Sequence, residues 1–227
     1  MHIETGVVQG AKMIFSYGTA AVSFGIASKL AIETIKNSSV LSFAVKTLIS
    51  TILVFIFFEV LPHQPVGVSE VHLILGSTLF LIFGAAPAAF GLALGLLIQG
   101  LFFAQFDLPQ YGINVTTLLI PLFVMSYVAS KVIPKDIAYK DIKYKDALKL
   151  SVVYQGGIVT WVAFWALYGQ GFGAENLTAV STFGIAYMSV IILEPLIDLA
   201  VLAGAKALNS LENTSFVNKR LYNPAKA

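Results

Sequence analysis

The first two residues, Met1-His2, set three nitrogen donors in succession: an α-amine, a backbone amide nitrogen and an imidazole. A metal bound through the amine and the amide nitrogen of His2 closes a five-membered ring, and continuing to Nδ1 of His2 closes a six-membered one, so three ligands share a plane. A further nitrogen completes a square, the geometry that suits Ni(II) and Cu(II), and on nitrogen ligands nickel binds more tightly than cobalt. His63 and His72 are the other imidazoles. His63 falls in a proline-containing loop, whereas His72 opens an apolar stretch; His72 is the preferred fourth ligand because a helix start holds a side chain more rigidly than a loop. The chain has no cysteine, which removes disulfides, thiolate metal sites, iron–sulfur clusters and cysteine nucleophiles and leaves nitrogen and oxygen as ligands.

The elements that must position these groups are membrane helices. Of 227 residues 57% are hydrophobic and 11% charged, against about 45–50% and about 25% in soluble domains; the mean hydropathy is +0.83. At about 20 residues per crossing the chain holds six or seven spans and no second sizeable domain, so a fused ATPase or a large soluble enzyme is excluded. Apolar stretches run over 10–34, 40–61, 72–84, 88–106, 114–133, 147–170 and 178–207. The uncharged run from Val71 to Phe103 is too long for one ordinary span, and Gly84-Ala85-Ala86-Pro87 divides it into two helices, the first short. The expected fold is all-α: one integral membrane domain over 1–227, a polytopic bundle of about seven transmembrane segments.

Lys and Arg concentrate in short cytoplasmic loops. Lys131, Lys135, Lys140, Lys143, Lys145 and Lys149 form the densest group, and Lys206, Lys219, Arg220 and Lys226 crowd the C-terminus. Both groups are expected inside, with Lys29 and Lys36, which puts the N-terminus outside and the C-terminus in the cytoplasm. The outer face then carries Glu4, Glu59, Glu70, Asp107 and Glu175 against Lys12 alone, a negative field that concentrates cations. No basic residue precedes Lys12 and no cleavage site follows a short apolar core, so no signal peptide is expected and the amine of Met1 should remain free. The stretch 134–149 alternates Lys with Asp and reads as a solvated loop or short interfacial helix.

Four motifs carry a resemblance over most of the chain: Met1-His2-Ile3 with Gly6, Ser69-Glu70-Val71-His72-Leu73, Leu96-Leu97-Ile98-Gln99-Gly100-Leu101-Phe102 and Gly112-Ile113-Asn114-Val115. Together they resemble the CbiM/NikM family, the substrate-specific membrane subunits of energy-coupling-factor importers for cobalt and nickel. The resemblance implies that the amine of Met1, the amide and imidazole of His2 and the imidazole of His72 bind the transported ion, cobalt or nickel, with no other cofactor. It also implies a transmembrane coupling subunit and ATP-binding subunits as partners, with room for a small accessory membrane subunit, in the inner (plasma) membrane of a prokaryote. Glu194 falls where the family often carries a glutamate. The chain departs from the family at Glu4-Thr5, Val7-Val8, the segment Ala104–Tyr111 and Thr117. Asn114 and Thr117, one helical turn apart, either reach the site as a second shell that orients the imidazoles or cap the start of a span.

Glu194 and Asp198 share a face of the last span, i and i+4, and ionisable residues inside a membrane are expensive. An internal ion pair with Lys46 is the expected arrangement; the alternative is an intramembrane relay for the ion or a lever sensed by a partner. Pro195 should kink that helix. Gly18, Ala21, Gly25 and Ser28 allow close helix approach, either within the bundle or, as the resemblance implies, against the coupling subunit. Trp161, Phe164, Trp165 and Tyr168 read as interfacial anchors.

No phosphate-binding Gly-x-x-x-x-Gly-Lys-Ser/Thr loop occurs, so energy must come from other subunits. An intramembrane serine protease using Ser77 lacks the glycine-flanked serine motif, and a haem or quinone enzyme lacks histidines at membrane depth. The chain is read as no enzyme and no nucleic-acid binder. The competing reading is a proton-coupled carrier built on Glu194 and Asp198.

Overall fold

Uncharged runs of this length bond their backbones internally as helices, because lipid offers no hydrogen-bond partner. In the computed structural model, which describes residues 3–225, seven helices follow the seven apolar stretches: α1 (Lys12–Asn37), α2 (Val40–Glu59), α3 (Gly76–Phe83), α4 (Ala85–Phe102), α5 (Tyr111–Val132), α6 (Tyr144–Gln170) and α7 (Ala174–Ala207). A last turn, α8 (Lys219–Tyr222), closes the chain. Five are long and apolar enough to cross a membrane: α2, α4, α5 with the 3-10 turn before it, α6 and α7. The protein is a multi-pass membrane protein. Ile14, Val22, Leu48, Ile185 and Ile192 stand exposed on the outer surface of the bundle, where an apolar face meets lipid.

Helices α2 and α4 approach at small residues. A Cβ on Gly91 would lie 2.1 Å from Ser50 Oγ, and one on Gly95 would lie 2.5 Å from Val54 Cγ1. At Gly112, a Cβ would lie 2.9 Å from Ser16 Oγ, which brings α1 onto α5. The fully buried Leu92, Leu118, Leu122, Tyr154 and Trp165 belong to the core that these contacts enclose.

The sequence expectation of an all-helical chain needs correction at the segment between α2 and α3. Strands β1 (Gln64–Val66) and β2 (Ser69–Val71) form an antiparallel hairpin in which Gln64 faces Val71 and Val66 faces Ser69. Gly67 turns it at φ +64°, and a Cβ there would strike the Ala179 carbonyl oxygen of α7 at 2.1 Å. The N-terminal segment adds to its edge: Ile3 bridges Ser69 antiparallel, and the Glu4 N–H donates to Val68 O at 3.0 Å.

His72 therefore does not open a helix. It follows β2 directly, and irregular chain over 72–75 leads to α3, whose N-cap Leu75 holds a left-handed φ of 55°. Eight residues of helix rise only about 12 Å of a core about 30 Å thick. Irregular backbone precedes it, and His72, Ile74 and Leu75 on that stretch are buried in protein. The expected break after α3 falls at Gly84, which has φ 90° and serves as N-cap of α4.

The bundle has two chemically distinct ends. At the hairpin end, Gln110 Nε2 donates to Glu4 O at 3.4 Å and Lys12 Nζ to Gly169 O at 3.0 Å. At the other end, Arg220 Nη2 donates to Pro134 O at 3.1 Å, Ala225 N–H donates to Lys135 O at 2.8 Å, and Lys206 pairs with Asp141 at 3.1 Å. The lysine-rich 134–149 stretch lies at this second end and carries a short 3-10 turn, Tyr139–Asp141. Arg220 covers the buried Tyr139 ring at 4.8 Å.

Candidate metal centre

Of the expected ligands, Met1 and His2 lie outside the described residues, and His72 lies within them. Its imidazole is 1% exposed, and Nε2 meets Glu70 Oε2 at 2.8 Å. Residues two apart in extended chain share a face, which is why Glu70 on β2 reaches the ring of His72. When Nε2–H is given to the carboxylate, Nδ1 carries the lone pair, and the carboxylate makes the imidazole a stronger donor and fixes its orientation. The ring is held further by Phe58, edge-on at 5.4 Å, and by His63, stacked at 4.9 Å and 9°. His63 itself is exposed. His72 is the buried one of the two imidazoles, and its support is a hairpin and not a helix start.

Asn114 is 1% exposed, and its Oδ1 accepts the Ile3 N–H at 3.0 Å. It sits inside α5, which begins at Tyr111, so it holds the N-terminal segment and does not cap the helix. Thr117 Oγ1 donates to Ile113 O at 2.9 Å within its own helix. Ile3 is thereby pinned between the hairpin and α5, with 1% of its surface exposed. Acidic groups gather at this end. Burial, and after it the neighbouring Glu70 carboxylate, raise the pKa of Glu4 above the ordinary carboxylate value. Among the described residues no three His, Asp or Glu side chains form a group able to hold a metal ion; the ligand set expected from sequence takes most of its members from the first two residues. Sequence reading missed Glu70 as the partner of His72, although the spacing Glu70-Val71-His72 was the available signal once the segment is a strand.

Glu194 and Asp198 are both fully buried, but not as an ion pair with Lys46. Asp198 accepts from Ser77 Oγ at 2.7 Å and from Thr78 Oγ1. Glu194 accepts from Gln155 Nε2 at 2.7 Å and Ser151 Oγ at 3.2 Å. Hydroxyl and amide donors from α3 and α6 replace the expected cation, and Lys46 lies instead on a cavity at the second end. Helix α7 runs on through Pro195; the proline has no N–H for the Ile191 carbonyl, which lies 3.0 Å from Ser151 Oγ, whose single proton is shared between that carbonyl and Glu194. Ser77, weighed as a nucleophile, spends its hydroxyl on Asp198.

The aromatic group also divides. Trp165 is a core residue with no exposed surface, while Phe164 and Tyr168 are 38% and 39% exposed; Trp161 Nε1 donates to Thr116 Oγ1 at 3.0 Å. The small residues Gly18, Ala21, Gly25 and Ser28 all face outward, with nothing within 4 Å of a Cβ placed on either glycine. Packing within the bundle is thus not their use.

Helices around a buried, carboxylate-backed imidazole define a membrane protein with a candidate metal-handling end. In fold it is similar to a crystal structure of a transition metal transporter, with TM-score 0.69 and 17% identity over 92% of this chain and 94% of that one. A truncated transition metal transporter gives TM-score 0.64 and 17% identity over 91% of this chain and 99% of that one. The family described as cobalt uptake substrate-specific transmembrane region, CbiM, matches residues 2–210, and the chain belongs to it. A candidate metal transport protein of Haemophilus influenzae is 28% identical over 142 residues, which span 62% of this chain and 66% of that protein, just under two thirds of its length.

Proposed function

We propose that this chain is the ion-capturing subunit of an energy-coupling-factor importer for Co(II) or Ni(II). The hairpin end faces outside and the lysine-rich end the cytoplasm of a prokaryotic cell, with α1 to α7 forming seven crossings of its inner membrane in one domain. The ion loses its water at the hairpin end and is held by the amine of Met1, the amide and imidazole of His2, and Nδ1 of His72. The observation that carries this reading is the Glu70–His72 pair, 2.8 Å apart, beside an Ile3 whose backbone is fixed by Ser69 and Asn114. A ligand set drawn from the two residues ahead of Ile3 has its attachment point there. Asn114 acts through that backbone.

Energy for inward release comes from ATP-binding subunits through a transmembrane coupling subunit, with a small accessory subunit where the system includes one. The outward-facing small residues of α1 support docking against that coupling subunit, since close backbone approach needs an unfilled face.

Titration of the purified, detergent-solubilised protein with Ni(II) and Co(II) tests the site. Wild type should bind, whereas His2→Ala and a variant with one residue added ahead of Met1 should not. Protons compete for the amine, amide and imidazoles, so affinity should fall as pH is lowered. Equal binding by all three proteins, or by none, overturns the reading.

A further inference from the structure

A cationic cavity lies at the opposite end from His72. Its volume is about 710 Å³, and its walls come from the end of α1, the start of α2, the start of α4 and the α8 segment. Three cationic side chains, Lys46, Lys219 and Arg220, and one acid, Glu33, line it. Lys46 is 5% exposed, and among the described residues its ammonium has no hydrogen-bond acceptor and no carboxylate partner. Lys219 spends one long bond, 3.4 Å, on the Asn37 carbonyl. Arg220 Nη2 reaches the Ile133 and Pro134 carbonyls, and its buried Nε has no acceptor. A smaller cavity rich in serine and threonine shares Ser38, Lys46 and Lys219 with the first.

The N-terminus of α4 opens into the same space, since Gly84, Ala85, Ala86 and Pro87 all line it. The N-cap glycine offers no side-chain acceptor, Pro87 has no N–H, and the N–H groups of Ala85 and Ala86 have no acceptor among the described residues. Unbonded N–H groups at a helix start attract anions. The Lys46 ammonium opens into the same cavity on a side chain that is otherwise enclosed, and with no carboxylate in contact it is a charge that calls for a negative partner.

We propose that this cavity holds the phosphate of an anionic phospholipid, with its oxygens between the N-terminus of α4 and the ammonium groups of Lys46 and Lys219. A phosphate-bearing anion satisfies both donor sets at once. The lipid source follows from the place: α1 ends there, α2 and α4 begin there, and the exposed Ile32, Val40 and Leu41 on the adjoining turns of α1 and α2 offer an apolar surface for acyl chains. Basic pockets between transmembrane helices take such headgroups. The proposal does not rest on the metal site, which lies at the other end.

The test uses the full chain in neutral detergent and follows the unfolding midpoint and lipid retained in native mass spectra. Phosphatidylglycerol, phosphatidylcholine and inorganic phosphate are added separately to wild type, Lys46→Met, Lys219→Gln and, as a control outside the cavity, Lys206→Gln. Phosphatidylglycerol alone should raise the midpoint of wild type and the control. Its apparent affinity should fall about fivefold or more for each cavity variant, the effect of removing one near-surface lysine. Lys219 is exposed, so its replacement reads out the site even if Lys46→Met folds poorly. Equal affinity in the cavity variants, protection by phosphatidylcholine, or protection by inorganic phosphate alone (an adventitious ion only) overturns the lipid assignment.

Discussion

A carboxylate that accepts an imidazole proton does its work through the other ring nitrogen, so Glu70 should matter to metal affinity without touching the metal. Glu70→Gln keeps the size and removes the charge; Co(II) or Ni(II) affinity should fall about 10–100-fold, with the helical circular dichroism unchanged. Thr117→Val should bind within about twofold of wild type, because its hydroxyl already serves Ile113 O at 2.9 Å. A Glu70→Gln protein that binds like wild type would mean that the 2.8 Å pair only holds the hairpin. His72 was singled out in sequence as the imidazole opening an apolar stretch and by the family resemblance, and Asn114 by that resemblance. Glu70 was read as one of several outer charges and as part of the Ser69–Leu73 motif, not as the partner of His72, because that pairing depends on chain alternation that appears once 69–71 is a strand. Thr117 and Asn114 look equivalent at one turn's spacing, and what separates them is the local alternative open to a threonine inside a helix, a bond to the carbonyl four residues back.

The helices themselves follow from continuous apolar runs, and Gly84 divides two of them where the composition says it should. The hairpin was not legible. Gln64 to Val71 carries Pro65 and Gly67 amid valines; its strands are only three residues each and pair with one another, with Ile3, more than sixty residues earlier, adding a single bridge to the edge. Where two long helices meet, the fit is set by the absence of side chains: at Gly91 a Cβ would lie 2.1 Å from Ser50 Oγ, 2.5 Å from Ser50 Cβ and 3.0 Å from backbone. Gly91→Val forces α2 and α4 apart and should cost about 1–3 kcal/mol or more, seen as a lower unfolding midpoint in detergent. Gly25→Val, with nothing within 4 Å of its Cβ, should leave the isolated protein as stable as wild type. A loss of stability at Gly25 would place that face inside the fold and remove the support it gives to partner docking.

At the scale of the whole molecule, charge is sorted between two ends while two acids are held between them. The sorting was legible because basic residues are few and clustered; the setting of Glu194 and Asp198 was not, since Ser77, Thr78, Ser151 and Gln155 come from two other helices. These donors stabilise the carboxyl groups within the scaffold. Ser77→Ala removes one donor from Asp198 and should destabilise the protein by about 1–3 kcal/mol, whereas ion capture at the hairpin end should be unchanged. The same logic separates the importer subunit from a proton-coupled carrier. In cells expressing the whole importer, cobalt or nickel uptake should disappear with His2→Ala and persist, at reduced protein level, with Glu194→Gln or Asp198→Asn. The decisive comparison normalises uptake to the amount of folded protein. If His2→Ala still transports while the acid variants are folded, present and inactive, the carboxyl pair and not the N-terminal nitrogen set is the centre of the transporter.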